Sequence, residues 1–301
     1  GSKSSFAQRL HSDSRGAHLD LIQLEVVHAN LNSAGVQQCI LATGNEDDFN
    51  AEHLPTARYL DTKKMLQASA DKSALRLVHP RKFQDMIRSV GVDSGCLIVL
   101  YDHKKSTKHA TGAWWLFKAY GYPRVAVMQG GLEGWKDLGL DTTQDLAPPI
   151  RGNFLAGFDP TTRIIYEDLL RMIERHSTTA VGNRPYQIID GREFDFFAGV
   201  RNFKGAPFPG RISGSVNVPT SLMTDLGSFY DFDLLRQLVE EKGVRPEPQL
   251  LTIIYGNSEI DASGLYFVLY QMGYNVRLYE GGWVEWASLQ GNQQGSYVVT
   301  P

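Results

Sequence analysis

The sequence predicts an α/β protein with two similar domains, each a small parallel sheet with helices on both faces. An order of apolar strand, polar loop, helix and second strand occurs twice along the 301 residues. Each copy ends in a Gly-Gly pair followed by tryptophan, at 130–135 and at 281–286. Strands that alternate with helices at this spacing are typical of parallel sheets covered on both faces. An internal duplication explains these observations together.

The first domain is predicted to cover residues 19–142. Pro80 suits the first position of a helix, because the N–H that proline lacks would be unpaired there. The predicted elements are a helix at 19–31, a strand at 39–42, a charged loop at 45–53, a turn and short strand within 54–61, a helix at 80–90, a strand at 97–101 and a helix at 110–120.

The second domain is predicted to cover residues 161–301. Its predicted elements are a helix at 166–176, a strand at 186–190, a turn and strand at 209–219, a helix at 231–242, a strand at 250–255 and a helix at 262–272. Residues 143–160 contain the pair Pro148-Pro149 and Gly152 without helical or strand period, so they are predicted to be a linker. Residues 1–18 are predicted to be a flexible N-terminus.

Composition argues against several kinds of partner. The net charge of −3, and the absence of any apolar run near the roughly 18 residues of a membrane span, argue against nucleic-acid and membrane partners. With only Cys39 and Cys96, we expect no disulfide framework, no metal site and a reducing interior. Residues 3–18, with Asp13 as their only acid, fit a flexible terminus or a mitochondrial presequence remnant. The expected location is mitochondrial or cytoplasmic, and no cofactor is predicted.

Four segments carry motifs that recur between the halves. Residues 52–57 and 209–219 share an apolar turn with proline, and residues 128–135 and 279–286 carry the Gly-Gly and tryptophan motif. Together they resemble the tandem rhodanese-domain proteins, the family of thiosulfate and 3-mercaptopyruvate sulfurtransferases. Arg211 stands where histidine is usual in that family. The resemblance extends from about Leu19 to the C-terminus and implies two rhodanese-like domains.

The resemblance implies a catalytic cysteine at the end of the fourth strand of the second domain. Loop amides and a helix N-terminus lower the pKa of such a cysteine, so that its thiolate can carry sulfur as a persulfide. The aligned residue here is Tyr255, which cannot do so and either fills the emptied pocket or offers its hydroxyl to another ligand. No catalytic residue is therefore predicted. The vestigial loop is Tyr255, Gly256, Asn257, Ser258, Glu259, Ile260 and Asp261.

The resemblance also implies arginines that hold an anionic substrate. Ala198 replaces one of them, and Lys204 aligns loosely with another but has no bidentate fork. Glu259 and Asp261 are expected to repel anions, either as first-turn helix acids or as ligands of a cation or basic peptide. The remaining candidates for lining the cleft are Arg211 and Trp283. The phenylalanine-rich segment 194–208 should border the same cleft, as a partner surface if exposed or as a plug if folded inward.

The corresponding loop of the first half, at 101–109, has the opposite charge. Lys104, Lys105, Lys108 and His109 lie just before a helix, where a small anion could bind. The loop contains no nucleophile, and an exposed charged loop is the alternative interpretation.

Neither cysteine is expected to replace the missing one. Cys96 begins the strand that ends at Tyr101, roughly 16 Å from the loop at the rise of a β-strand. Cys39 lies in the first strand of its half and is expected to be a buried structural thiol.

The sequence therefore predicts a sulfurtransferase-like pseudoenzyme that works as a binding, regulatory or assembly subunit with a protein partner. The alternative is a thiosulfate or 3-mercaptopyruvate sulfurtransferase with residual or altered activity, which could recruit a partner's cysteine. A third hypothesis is acid–base catalysis by Tyr255, Glu259 and Asp261.

Overall fold

The computed structural model describes residues 20–68, 75–148, 150–258 and 260–301. They form two compact units. Of the described residues, the first unit contains those up to Met65 and those of Val78–Asp159 and Thr224–Phe229, and the second contains those of Leu66–Leu77, Pro160–Met223 and Tyr230–Pro301. The predicted N-terminal segment 1–18 and Glu259 lie outside the described residues.

Five parallel strands form the sheet of the first unit, in the order β1-β7-β6-β2-β3. The strands of this half of the sequence are β1 (Leu21–Ile22), β2 (Gln38–Thr43), β3 (Arg58–Tyr59), β4 (Leu66–Ala68), β5 (Leu75–Leu77), β6 (Leu97–Asp102) and β7 (Val125–Met128). The helices are α1 (Leu24–Leu31), α2 (Glu46–Ala51), α3 (Pro80–Ser89), α4 (Lys108–Ala119) and α5 (Gly131–Asp137). All six residues of the central strand β6 are buried, which explains its continuous apolar run.

The second unit repeats this arrangement, with the parallel order β8-β15-β14-β9-β11. Its half of the sequence contributes β8 (Arg163–Ile164), β9 (Tyr186–Asp190), β10 (Arg211–Ile212), β11 (Ser215–Asn217), β12 (Thr224–Asp225), β13 (Ser228–Phe229), β14 (Leu251–Tyr255), β15 (Asn275–Tyr279) and β16 (Val298–Val299). The helices are α6 (Tyr166–Arg175), α7 (Phe194–Phe197), α8 (Phe232–Glu241), α9 (Ser263–Gln271) and α10 (Gly282–Gln290). Corresponding strands occupy corresponding places, so the duplication is present in the fold.

Two predicted elements of the first half differ in the structure. The predicted helix 19–31 begins only at Leu24, because β1 pairs with β7 before it. The predicted loop 45–53 contains α2, whose first N–H groups are capped by the Asn45 side chain and whose Phe49 is buried. A six-residue helix with three acids in its first turn shows little apolar periodicity, which is why the sequence suggested a loop.

Each unit includes a hairpin from the other half of the sequence. The β4–β5 hairpin belongs to the second unit, and the β12–β13 hairpin belongs to the first. Gln129 anchors the latter, since its side chain both donates to and accepts from the backbone of Phe229 at 3.2 Å. The second unit also pairs β16 with β10 in antiparallel fashion.

The predicted linker 143–160 packs on the first unit. Phe154 is fully buried, and its N–H donates to the Val92 carbonyl at 3.1 Å. The Gly157 N–H donates to the Tyr120 carbonyl at 2.8 Å. Apart from Pro160, and from Pro149, which lies outside the described residues, this segment is part of the first unit.

The expectation of unpaired cysteines is wrong, because Cys39 and Cys96 form a disulfide with a Cα–Cα distance of 6.1 Å. Cys39 pairs with Ile98 in the ladder of neighbouring strands β2 and β6, which brings it next to Cys96. Cys39 is half-buried rather than a buried thiol. A reducing interior is expected only for free thiols, so the disulfide removes the basis of that expectation.

Candidate functional site

Two tyrosines lie near the carboxyl ends of the central strands β6 and β14, at corresponding places. Tyr101 and Tyr255 are both fully buried. The Tyr101 hydroxyl accepts the Leu54 N–H at 3.2 Å, and the Tyr255 hydroxyl accepts the Ile212 N–H at 3.1 Å. Burial raises the pKa of both phenols, so both stay protonated. Both side chains therefore belong to the cores of their units.

Tyr255 belongs to a buried polar network that the sequence analysis missed. Its hydroxyl donates to Asp190 Oδ2 at 2.5 Å, and Arg192 Nη2 donates to the same oxygen at 2.7 Å. Arg192 is buried, and its guanidinium lies 5.6 Å from the ring centre of Tyr255 and 5.2 Å from that of Trp283. Such bonds offset the desolvation of a buried charge pair. The Asp-x-Arg at the end of β9 is the signal that could have revealed it.

The loop after β14 holds a carboxylate rather than a nucleophile. The Asn257 N–H donates to Asp261 Oδ2 at 2.9 Å. Gly256 is the first loop residue, and a Cβ built on it would overlap the Asp261 carboxylate. Ser258 and Ile260 are half-buried. The Asp261 carboxylate therefore occupies the space that a side chain at position 256 would need.

The Gly-Gly motif fixes the start of this loop against α10. Gly282 has φ +61°, and a Cβ there would lie 2.7 Å from the Asn257 carbonyl oxygen. The N–H groups of Trp283 and Val284 donate to the carbonyls of Gly256 and Asn257, both at 2.9 Å. Only glycine allows this conformation and this approach without strain. The motif thus positions the loop.

In the first unit, β6 ends at Asp102, just before the loop. This side chain is 3% exposed; Oδ1 accepts the Thr43 hydroxyl at 2.9 Å and Oδ2 accepts the Ala110 N–H at 3.2 Å. Burial raises the pKa of Asp102 to about 6, although these hydrogen bonds oppose the shift. A cavity of about 160 Å³ lies beside it, bordered also by Asp48, His103 and other residues of this unit.

The four residues predicted as an anion site are only partly brought together. Lys104 and His109 border the cavity, whereas Lys105 and Lys108 are exposed outside its lining. Lys104 Nζ lies 3.5 Å from the Asp48 carboxylate. Burial lowers the pKa of His109, and the nearby Lys108 lowers it further. The cavity wall therefore mixes carboxylates with lysine.

The predicted cleft residues lie along the aromatic segment 194–208 or contact it. Trp283 is fully buried, and its Nε1 donates to the Phe208 carbonyl at 3.1 Å. The Arg211 guanidinium lies 4.5 Å from the Phe197 ring centre and donates to the Phe197 carbonyl at 3.2 Å. Within the segment itself, Ala198 is half-buried after α7 and Lys204 is exposed.

The aromatic segment is divided between core and surface. Phe208 packs against Trp283 at 5.8 Å between ring centres, and Phe196 packs against Phe203 at 6.1 Å. Phe194 and Val200 remain 66% and 83% exposed. The segment therefore leaves these two apolar side chains exposed.

Family membership rests on both halves of the chain. The family model for the rhodanese-like domain matches residues 23–138 and 167–289. The chain belongs to this rhodanese-like family. The predicted fold class of two tandem rhodanese-like domains is thereby confirmed.

Relatives of this rhodanese-like protein include sulfurtransferases. It is 28% identical to a thiosulfate sulfurtransferase of Gallus gallus over 79% of this chain and 80% of the relative. It is 26% identical to a 3-mercaptopyruvate sulfurtransferase of Escherichia coli K12 over 90% of this chain and 92% of the relative.

Solved structures show the same fold. SseA from E. coli, a 3-mercaptopyruvate sulfurtransferase, has a TM-score of 0.72 at 24% identity, over 88% of this chain and 99% of that one. EanB in complex with ergothioneine has a TM-score of 0.76 at 17% identity, over 93% of this chain and 70% of that one.

Neither a metal-binding cluster nor a membrane-spanning helix is found among the described residues. Within residues 20–68, 75–148, 150–258 and 260–301, no group of three or more His, Cys, Asp and Glu side chains could hold a metal ion. Among the same residues, no helix is long and apolar enough to cross a membrane.

Proposed function

We propose that this rhodanese-like protein does not transfer sulfur and acts by binding a protein partner. The main support for this proposal is the Asp261 carboxylate, which lies within the loop after β14. Tyr255 corresponds to Tyr101 in the core, so we place the position of the family's cysteine at Gly256, one residue later than the sequence suggested. At this position the loop offers a carboxylate in place of a sulfur nucleophile.

Charge supports the same proposal. Thiosulfate and 3-mercaptopyruvate are anions, and a carboxylate inside the loop repels them. The Asn257 N–H, which could otherwise stabilise a negative sulfur, is already bonded to Asp261. The two cysteines of the chain are joined to each other in the first unit. Cys39 lies near the start of β2 and Cys96 just before β6, whereas the loop follows the other end of β6.

The alternative is a thiosulfate or 3-mercaptopyruvate sulfurtransferase with residual or altered activity. The relatives that carry these names favour it, at 26–28% identity. It requires a free thiol, which means either reduction of the Cys39–Cys96 disulfide or a cysteine from a partner. It therefore predicts a persulfide on one of these cysteines. Acid–base catalysis involving Tyr255 gains no support, because the phenol is fully buried.

The deciding experiment measures thiocyanate from thiosulfate and cyanide, and pyruvate from 3-mercaptopyruvate, with and without dithiothreitol. The E. coli 3-mercaptopyruvate sulfurtransferase serves as positive control, and the matched variant is Cys39→Ser/Cys96→Ser. We expect neither the protein nor its variant to exceed the enzyme-free rate. Turnover that disappears in the variant would refute the proposal, because it would identify a working thiol.

Partner binding is proposed to involve the exposed apolar side chains of segment 194–208. Phe194→Asp/Val200→Asp should reduce capture of a specific partner, whereas Leu138→Asp, at a residue of the first unit that is 51% exposed, should not. Quantitative affinity capture compares the three proteins at equal concentration. Equal recovery of every captured protein by all three would rule out this surface.

A further inference from the structure

The β12–β13 hairpin crosses the end of the first unit at which β6 and β7 finish. Phe229 of the hairpin is hydrogen-bonded to Gln129, which follows β7 directly. At the hairpin tip, a Cβ built on Gly227 would lie 3.2 Å from the Ser106 nitrogen and 3.3 Å from the Lys105 Cα, in the loop after β6. Ligands of open α/β sheets bind beyond the carboxyl ends of the strands. The tip therefore lies where a binding surface is expected.

The hairpin tip carries a residue that its turn disfavours. Asp225 pairs with Ser228, which leaves Leu226 and Gly227 as a two-residue turn. Both residues have positive φ, +48° for Leu226 and +85° for Gly227. Such turns favour Asn-Gly, Asp-Gly or Gly-Gly, because a bulky side chain in the left-handed region is strained. Leu226 is also 64% exposed, so it gains little from burial. Stability alone does not explain a leucine at this position.

A basic surface adjoins the tip. Lys104, Lys105 and Lys108 belong to the loop beside Gly227 and the start of α4, and all three are exposed. Lys63 is exposed as well. Burial lowers the pKa of His109, and Lys108 and Lys63 lower it further, so their two ammoniums lie near the same imidazole. We define the basic surface as Lys63, Lys104, Lys105 and Lys108.

Nearby carboxylates do not neutralise the basic surface. Asp48 lies 3.5 Å from Lys104 Nζ, and Asp61 pairs with Lys64, outside the surface, at 3.8 Å. Among the described residues, the other three lysines of the basic surface have no ion-pair partner. Asp225 adds one exposed carboxylate on the hairpin. Four ammoniums thus face the carboxylates of Asp48 and Asp225, and the surplus positive charge attracts acidic groups.

We propose that Leu226 and the basic surface form a docking site for an acidic peptide segment of a protein partner, which places an apolar side chain on Leu226 and carboxylates on the lysines. An exposed leucine is covered only by another apolar group, which inorganic anions and nucleic-acid phosphates do not supply. Lysine is a mobile point charge and suits carboxylates in an irregular segment. Strained residues are retained where function requires them.

This docking site is separate from segment 194–208 of the second unit. It also does not require the proposed loss of sulfur transfer, because none of its residues belongs to the loop after β14. Sulfurtransferase activity would therefore refute the proposed function and leave the docking site untouched. Loss of the docking site would likewise leave the proposed function standing.

Selection from a random peptide library, displayed on phage and presented to the intact protein, tests the chemistry of the partner. We expect enrichment of peptides that combine aspartate or glutamate with leucine, isoleucine or phenylalanine. Fluorescence anisotropy then measures the Kd of a labelled selected peptide. Its affinity should fall as the ionic strength rises, and replacing its apolar residues with serine should weaken binding about tenfold. Selection of no acidic peptide, or a serine form that binds equally well, would overturn the proposal.

Leu226→Asn separates binding from folding. Because asparagine suits this turn, the variant should unfold at a higher urea concentration, yet bind the selected peptide about tenfold more weakly. The matched control is Leu155→Asn, at a leucine of the first unit that is also 64% exposed, and it should bind normally. Equal affinity of the Leu226→Asn variant and the native protein would refute the site. A lower urea midpoint would refute it as well, because the leucine would then serve the hairpin itself.

Lys105→Gln tests the basic surface in the same assay. It should weaken peptide binding about two- to fivefold, the order of an exposed ion pair, and should make the affinity less sensitive to salt. Lys82→Gln, at another exposed lysine of the first unit, should change neither quantity. Equal losses in the two lysine variants would indicate a response to net charge alone and would contradict a defined docking site.

Discussion

At the scale of single residues, each unit places a carboxylate at its loop. Asp102 is the last residue of β6, and Asp261 folds back into the loop after β14. Each accepts at least one backbone N–H of its loop or of the following helix. Carboxylates in such positions form charge-assisted bonds, which are stronger than neutral ones. Both carboxylates therefore help to fix the backbone that follows the central strand of their unit.

The contact between Gly256 and Asp261 predicts a coupled pair of mutations. Gly256→Ala should lower the free energy of unfolding by about 1 to 3 kcal/mol, because the new Cβ would overlap the carboxylate. In an Asp261→Ala background the same change should cost much less. Urea unfolding of the four proteins gives the coupling energy. Additive effects would show that the carboxylate does not occupy this space.

Asp102 predicts a specific dependence of stability on pH. Its folded pKa of about 6 lies above the unfolded value, so the folded state binds the proton more tightly. The stabilisation is complete below about pH 4 and is lost as the pH rises through about 6. Asp102→Asn should thus gain about 1 to 3 kcal/mol relative to the native protein between pH 4 and 7. Urea unfolding at both pH values measures this difference, and a constant difference contradicts the shift.

At the scale of elements, the two halves build the same turn from different residues. Thr56, in the turn 54–57, has φ +67°, and Gly214, in the corresponding turn of the second unit, has φ +81°. A β-branched residue in the left-handed region is strained, whereas glycine is not. The first half therefore carries a local cost that the second half avoids.

Exchanging these turn residues should change stability in opposite directions. Thr56→Gly should raise the free energy of unfolding by up to about 1 kcal/mol, the order of the left-handed cost. Gly214→Thr should lower it by about 1 to 2 kcal/mol. Thermal and urea unfolding provide the comparison. A destabilised Thr56→Gly would mean that the threonine side chain contributes more than its backbone strain costs.

Local pattern and long-range pairing account for what the sequence could and could not predict. The apolar runs of β6 and β14, and the repeated Gly-Gly motif, were sufficient for the fold class. The Cys39–Cys96 disulfide was not predictable, because only the pairing of β2 with β6 brings together two residues 57 apart. The cavity beside Asp102 depends on the same pairing. The core position of Tyr255 is recognised only by comparing it with Tyr101, which is buried and hydrogen-bonded in the same way in the first unit.

At the scale of the whole molecule, the units share hairpins across the sequence. The β4–β5 hairpin brings Arg76 to Glu285, a fully buried carboxylate that also accepts the Tyr279 hydroxyl at 2.7 Å. The β12–β13 hairpin lies on the first unit, where Gln129 binds Phe229. Neither unit is therefore built from one continuous half of the chain.

Arg76 should contribute more to the stability of the fold than its position in a hairpin suggests. Arg76→Met leaves Glu285 buried without its ion-pair partner and should cost about 2 to 4 kcal/mol, less than a fully buried pair because Arg76 is 29% exposed. Arg76→Met/Glu285→Gln should recover much of this loss. Chemical unfolding compares the variants. Failure of the second mutation to restore stability would show that packing, rather than the charge, is responsible.

Separated halves should fold poorly. Residues 20–159 and 160–301, expressed apart, each lack the hairpin that completes their unit. We expect weak near-UV circular dichroism from each fragment and recovery of the native signal when they are mixed. Cooperative unfolding of either fragment alone, at the stability of the intact protein, would contradict this expectation.

The shared hairpins also matter while the chain is being synthesised. The first unit is complete only when Thr224–Phe229 has emerged, long after the ribosome has passed Asp159. At ordinary translation rates this delay lasts roughly 4 to 14 s. During that time the first unit's surface around Gln129 is uncovered, and a chaperone or protease can reach it. Changes that slow translation between these points should therefore reduce the yield of native protein without altering any contact in it.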